Sequence, residues 1–177
     1  VIEEFNTPIF EISPLTLAII AEHNENDVIV TRIIEEDEEF LVDQTPQQVI
    51  NFACKFFGSS LKGRQEGTRN ICGFSSKIPI SIDPSSGMYF FPTTSPKNSK
   101  CSWIAHSHIG KLSKMRNQKT KIIFKNGKTL TLDVSFRTML NQLQRTAQFR
   151  FLLDKRLRFL QQQNPEMIAE PSPLDPE

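Results

Sequence analysis

Residues 54–77 read CKFFGSSLKGRQEGTRNICGFSSK, and residues 77–109 read KIPISIDPSSGMYFFPTTSPKNSKCSWIAHSHI. The first stretch sets three glycines, Gly58, Gly63 and Gly67, among Lys55, Lys62, Arg64, Arg69 and Lys77, with Glu66 as the one acid. Glycine permits unusual dihedrals and removes side-chain bulk, so this stretch reads as a loop whose backbone can approach an anion closely. The second stretch holds two short apolar runs and an aromatic knot, Tyr89, Phe90 and Phe91, followed by Trp103. The knot reads as packed core, with Phe90 and Trp103 buried and structural rather than stacked on a ligand. The expectation is a basic contact loop held by strands behind it.

Working outward, Thr45 is a good N-cap and Pro46 fits the first helical position. Val49, Ile50, Ala53, Phe56 and Phe57 recur at helical spacing, and Gly58 supplies the stop. A helix over 45–57 therefore precedes the glycine loop. Farther upstream, LTLAIIA (15–21) and VIVTRII (28–34) read as two strands of a hairpin joined by polar residues. The five acids of 35–39 read as a solvated turn, and 40–42 as another short strand. Downstream, 71–74 and 78–82 read as short strands, with Pro79 demanding an edge position or a bulge. Residues 102–109 read as a strand on which His106 and His108 share a face. Asn126-Gly127 between the apolar runs 121–124 and 129–134 is the clearest hairpin signal in the chain. Ser135 then caps a helix striped by Phe136, Met139, Leu140, Leu143, Ala147 and Phe151, running to about Gln162, with six arginines and lysines largely between the apolar positions. The fold class is α+β: a mainly antiparallel β domain with one helix before the glycine loop and a long C-terminal helix. Residues 1–163 read as a single domain. Residues 164–177, with four prolines and four acids, read as a disordered tail.

Net charge is +1 over 177 residues, and that value hides a segregation. Residues 1–53 carry −11, residues 54–160 carry +16 and residues 161–177 carry −4. Such asymmetry suggests a polyanion partner for the basic part, unless an acidic face and a basic face neutralise each other in space. No apolar run approaches the roughly 20 residues of a spanning helix, so no membrane role is expected. Three widely spaced cysteines, Cys54, Cys72 and Cys101, are poor material for a disulfide framework and fit a reducing cytoplasm.

Enzymatic chemistry finds little support. Gly58-SSLK-Gly63 approaches a phosphate-binding loop, but Arg64 and Gln65 stand where Lys and Ser or Thr are needed. Ser59 and Lys62 have the spacing of some acyl-transfer enzymes without the companion motifs. Cys101, His106 and His108 leave a metal-dependent hydrolase open as an alternative, although a structural zinc lacks a fourth ligand. The expectation is no enzyme, no catalytic residue, no metal and no cofactor. The basic residues are more persuasive. Lys111, Lys114, Arg116, Lys119 and Lys121 form a second basic loop. With Lys55, Lys62, Arg64, Arg69 and Lys77 they are the candidate DNA-binding set, gripping phosphates by counterion release. Arg64, bracketed by glycines, is the candidate for close approach to the duplex. Lys114 and Lys119, in a longer polar connection, are expected to meet phosphates only. The alternative is a protein-interaction or self-assembly module without DNA binding.

The motifs CKFFGSSLKGR, GFSSKIPISIDP, FFPT and WIAHSHI, with FKNGKTLTL and QLQRTAQFR beyond them, resemble the ComK family of competence transcription factors of Gram-positive bacteria. The resemblance spans Ile33 to Phe151. Cys-Lys-Phe-Phe-Gly, then Phe-Phe-Pro-Thr, then Trp-Ile, in that order and spacing, is its specific part. It implies a cytoplasmic transcription activator of competence genes, binding paired A/T-rich boxes of double-stranded DNA mainly through the minor groove, and so makes Arg64 the candidate for entering a narrow A/T groove, where negative potential favours arginine. It also implies a homo-oligomer, a dimer or a pair of dimers, and control by a Clp-protease adaptor protein. The adaptor contacts of that family belong to its C-terminal part, where this chain instead reads PEMIAEPSPLDPE. From Trp103 to Leu143 the order of strand, Asn-Gly hairpin and helix is also similar to LytTR-type DNA-binding domains, which are β-rich and contact DNA through loops.

Overall fold

The computed structural model describes residues 12–163, so the expected tail at 164–177 lies outside the described residues. Three strands come first: β1 (Thr16–His23), β2 (Ile29–Glu35) and β3 (Glu39–Val42). Two helices follow, α1 (Pro46–Phe56) and α2 (Leu61–Cys72). Next come β4 (Ile80–Asp83), β5 (Met88–Pro92) and β6 (Trp103–Ala105), a 3₁₀ turn at His106–His108, and β7 (Ile109–Lys114), β8 (Thr120–Phe124) and β9 (Thr129–Leu132). Helix α3 (Phe136–Gln163) closes the described chain. The strands form a six-stranded sheet in the order β3-β2-β1-β6-β5-β4 and a three-stranded sheet in the order β7-β8-β9, and every pairing is antiparallel. This is the α+β architecture the sequence implies. No helix among the described residues is long and apolar enough to cross a membrane.

The large sheet is covered on both faces. Ile19, Ile33, Ile80, Phe90 and Trp103 alternate onto one face, where Val49, Ile50, Ala53 and Cys54 of α1 and Leu61 of α2 meet them. Ala18, Ile20, Ile34, Phe91 and Ile104 alternate onto the other, against Ile109, Ile122 and Phe124 of the small sheet and Met139 of α3. Register carries the alternation across strands: Ile19 pairs with both Ile33 and Trp103, and Ile104 with both Ala18 and Phe91. Trp103 and Phe91 have no exposed surface and Phe90 only 1%. The aromatic knot is therefore core, as its composition implies. Pro79 precedes the edge strand β4, as its edge reading expects, and the register shift of that strand falls farther on, between Ser81 and Asp83.

Three expectations need correction. The glycine loop is helix α2. Ser60 caps it by accepting from the Gly63 N–H at 3.0 Å, Asn51 Oδ1 accepts from the Leu61 N–H at 3.0 Å, and Leu61 and Thr68 are buried. Glycine inside a helix costs about 1 kcal/mol relative to alanine, and caps with tertiary docking outweigh that here. The glycines that punctuate are Gly58 (φ 77°) and Gly73 (φ 71°), which stand in the left-handed region on either side of α2. Residues 71–74, expected as a strand, are the end of that helix and its exit. The His-bearing strand is two short strands broken by the 3₁₀ turn.

That break separates the histidines chemically. His108 Nε2–H donates to the Pro14 carbonyl at 2.6 Å, and its Nδ1 lies 3.5 Å from Glu36. Burial, with Arg150 and Lys125 nearby, pushes the His106 imidazole from its usual 6.5 to about 4. Cys101 is buried with Sγ 3.6 Å from the Thr94 carbonyl. The three side chains face different partners, and no group of three or more His, Cys, Asp or Glu among the described residues is placed to hold a metal ion. The metal-dependent hydrolase reading falls on this geometry.

Candidate nucleic-acid interface

The small sheet is built from two tight hairpins. At β8–β9 the Gly127 N–H donates to the Phe124 carbonyl at 3.0 Å, Gly127 has φ 89°, and Asn126 Oδ1 accepts from the Lys128 N–H at 3.0 Å. At β7–β8 the Met115 N–H donates to the Lys119 carbonyl at 2.9 Å, and the Lys119 N–H to the Arg116 carbonyl at 3.3 Å. Asn117 and Gln118 at that tip both take left-handed dihedrals (φ 57° and 60°), which matches the right-handed twist of a two-stranded ribbon. Residues 111–121 are thus not a loose connection but a projecting hairpin. Its inner side, Leu112, Ile122 and Leu130, packs into the core. Register aligns Lys111 with Ile123 and Thr129, and Ser113 with Lys121 and Thr131, on the opposite side.

From Ile109 to Leu132 there are seven bases and no acid. Lys111, Lys114, Arg116 and Lys119 are exposed and Lys121 is half-buried. Among the described residues, the ion pairs within 4.0 Å involve His23, Arg32, Lys62, His108 and Arg158, and none of the five hairpin bases. Charge left uncompensated by neighbours is charge free to meet a polyanion. The hairpin is anchored at its foot: Thr120 Oγ1 donates to the Val134 carbonyl at 2.7 Å, just before Ser135 caps α3 by accepting from the Thr138 N–H at 3.2 Å. This brings exposed Arg137, in the first turn of α3, to the same end. Arg137 and Lys77 line one open groove of about 540 Å³ with Thr138, Asn141 and Gln144. The Lys77 carbonyl accepts from Gln142 Nε2 at 2.9 Å, which pins that loop to α3.

The remaining expected residues lie elsewhere. Lys55 sits in the last turn of α1, and Lys62 and Arg69 on the exposed side of α2. Both helices cover the face of the large sheet opposite the small sheet. The ten candidates therefore do not make one surface. Lys111, Lys114, Arg116, Lys119 and Lys121 share one hairpin, Lys77 lies against α3, and Lys55, Lys62 and Arg69 lie on the helices of the other layer. Lys62 is also 4.0 Å from Glu66. Arg64 faces inward: its Nη2 donates to the Phe57 and Ile82 carbonyls, both at 3.2 Å, fastening α2 to the end of α1 and to β4. Its glycine neighbours lie within a helix, so the flexible approach expected of this arginine is absent. Arg137 is the residue the sequence reading passed over. Its signal is a base in a helical first turn that contains no acid, where the helix dipole disfavours a cation.

The family model for the ComK protein matches residues 7–158, most of the chain. The chain belongs to the ComK family. It is 36% identical over 148 residues to the competence transcription factor of Bacillus subtilis (strain 168), an alignment covering 84% of this chain and 77% of that ComK relative. No solved structure matches the chain.

Proposed function

We propose that the chain is a transcription activator of competence genes that grips double-stranded DNA with its small sheet and the start of α3. The name of the Bacillus subtilis relative, competence transcription factor, supports the activator reading. The observation that carries the DNA part is the acid-free stretch 109–132, whose five hairpin bases have no ion pair within 4.0 Å among the described residues. In this reading Lys111, Lys114, Lys119 and Lys121 meet phosphates, and Lys77 and Arg137 extend the track along the groove. Arg116, at the exposed tip, takes the minor-groove role first expected of Arg64. An A/T tract narrows that groove and deepens its negative potential, and arginine sheds water more readily than lysine. Lys55, Lys62, Arg64 and Arg69 are outside the proposed surface. No catalytic step is involved. The ComK resemblance extends the proposal to a cytoplasmic homo-oligomer built from dimers and to turnover through a Clp-protease adaptor.

A mobility-shift titration with A/T-box and G·C-rich duplexes tests the reading. The expected result is tighter binding to the A/T duplex, with Arg116→Ala eroding that preference at a cost of about 1–3 kcal/mol. Equal binding to both duplexes reduces the hairpin to a phosphate grip. No binding to either leaves an interaction module without DNA.

A further inference from the structure

Helix α3 is 28 residues long, about 42 Å. Its buried residues, Met139, Gln142, Thr146 and Phe149, all lie in its first half. Its neighbours are α2, β5, β7 and the 3₁₀ turn. Beyond Arg150 the helix carries exposed apolar side chains, Phe151 at 67%, Phe159 at 59% and Leu160 at 63%. Exposed Lys155, Arg156 and Arg158 lie among them against a single acid, Asp154, which stands 3.0 Å from Arg158 and leaves Lys155 and Arg156 without an ion pair within 4.0 Å among the described residues. Leu157 and Leu160, with half-buried Leu153, continue at helical spacing the face that Met139, Gln142, Thr146 and Phe149 bury, and an apolar face left uncovered amid charge marks a contact surface.

The complementary surface lies at the far edge of the large sheet. Strand β3 is one edge of the large sheet among the described residues, and Leu41 on it is 65% exposed. Residues 35–43 hold six acids and no base. Glu39 and Glu36 have partners in Arg32 and His108, whereas exposed Asp37 and Glu38 have no ion pair within 4.0 Å among the described residues. One surface is apolar and basic, the other apolar and acidic. Within one chain they are held apart, because α3 packs toward β5 while β3 lies at the opposite end of the strand order.

We infer that the C-terminal half of α3 docks on the acidic β3 edge of a second copy, and reciprocally, in a two-fold dimer. This rests on the homo-oligomer reading above and gives it a surface. Reciprocity follows from closure: a two-fold axis satisfies both contacts in both copies, whereas a one-way contact leaves an open chain. It also doubles the buried area, which a stable dimer needs at about 1,200–2,000 Å² in total. Pairing two α3 ends directly sets bases against bases and is disfavoured.

Sedimentation of the full chain without DNA tests this through two charge reversals, Arg156→Glu with Arg158→Glu and Asp37→Lys with Glu38→Lys. The wild type is expected to be dimeric, and each reversal to raise the dimer dissociation constant about tenfold or more. Mixing the two variants restores a dimer, because both contacts of the mixed pair are again complementary. The milder Arg156→Gln with Arg158→Gln pair weakens the wild-type dimer by less and serves if a reversal fails to fold. A wild type that is monomeric at every concentration overturns the oligomer reading itself. A dimer indifferent to the acidic-edge reversal overturns only this surface and leaves the oligomer standing.

Discussion

Arg64 illustrates how a residue's role depends on where its hydrogen bonds go. Its two 3.2 Å bonds to the Phe57 and Ile82 carbonyls are charge-assisted and tie three elements together. Arg64→Ala is expected to cost about 1–3 kcal/mol in urea unfolding, because two carbonyls lose their donor. The salt dependence of DNA binding should stay as in the wild type. His106 makes a second residue-level prediction. Its folded value of about 4 lies below the unfolded 6.5, so the unfolded state binds the extra proton between them. The stability linked to its neutral form is complete above about pH 6.5 and is lost as pH falls toward about 4. Thermal melts across that window should show a steady decline that His106→Asn flattens.

Among the elements, α2 is the hardest to read and the β8–β9 hairpin the easiest. Three glycines within ten residues look like a loop when local propensity is all there is. The cap at Ser60, the Asn51 contact and the buried Leu61 and Thr68 decide otherwise, and two of these depend on residues brought close only by the fold. Gly67 makes the point testable. It lies inside α2, and a Cβ built on it meets nothing within 4 Å. Gly67→Ala should therefore raise stability by about 0.5–1 kcal/mol, measured by denaturant midpoint. A loop at this position would show no such gain. By contrast, α1, α3 and the β8–β9 hairpin were legible, because Thr45, Ser135 and Asn126-Gly127 act on their immediate neighbours. The β7–β8 hairpin was not: its turn residues are Asn117 and Gln118, and no glycine marks them.

At the scale of the whole molecule, charge is sorted by layer and edge. The acidic run after β2 meets part of its compensation locally, with Lys128 Nζ donating to the Glu35 carbonyl at 2.9 Å and His108 beside Glu36. Segment charge was visible in the sequence, but its division between two faces of a sheet was not, since Lys62 and Lys119 differ in location rather than in type. Arg137 was hidden for the same reason, standing next to the hairpin only through the Thr120–Val134 bond. The small sheet, and not α2, is proposed as the DNA face. Binding to an A/T-box duplex across a salt series tests it with Lys119→Ala and Lys62→Ala side by side. Each lost phosphate contact lowers the slope of log affinity against log salt by about one unit. The expected result is that reduction for Lys119→Ala and an unchanged slope for Lys62→Ala; the reverse pattern would place DNA on α2 instead.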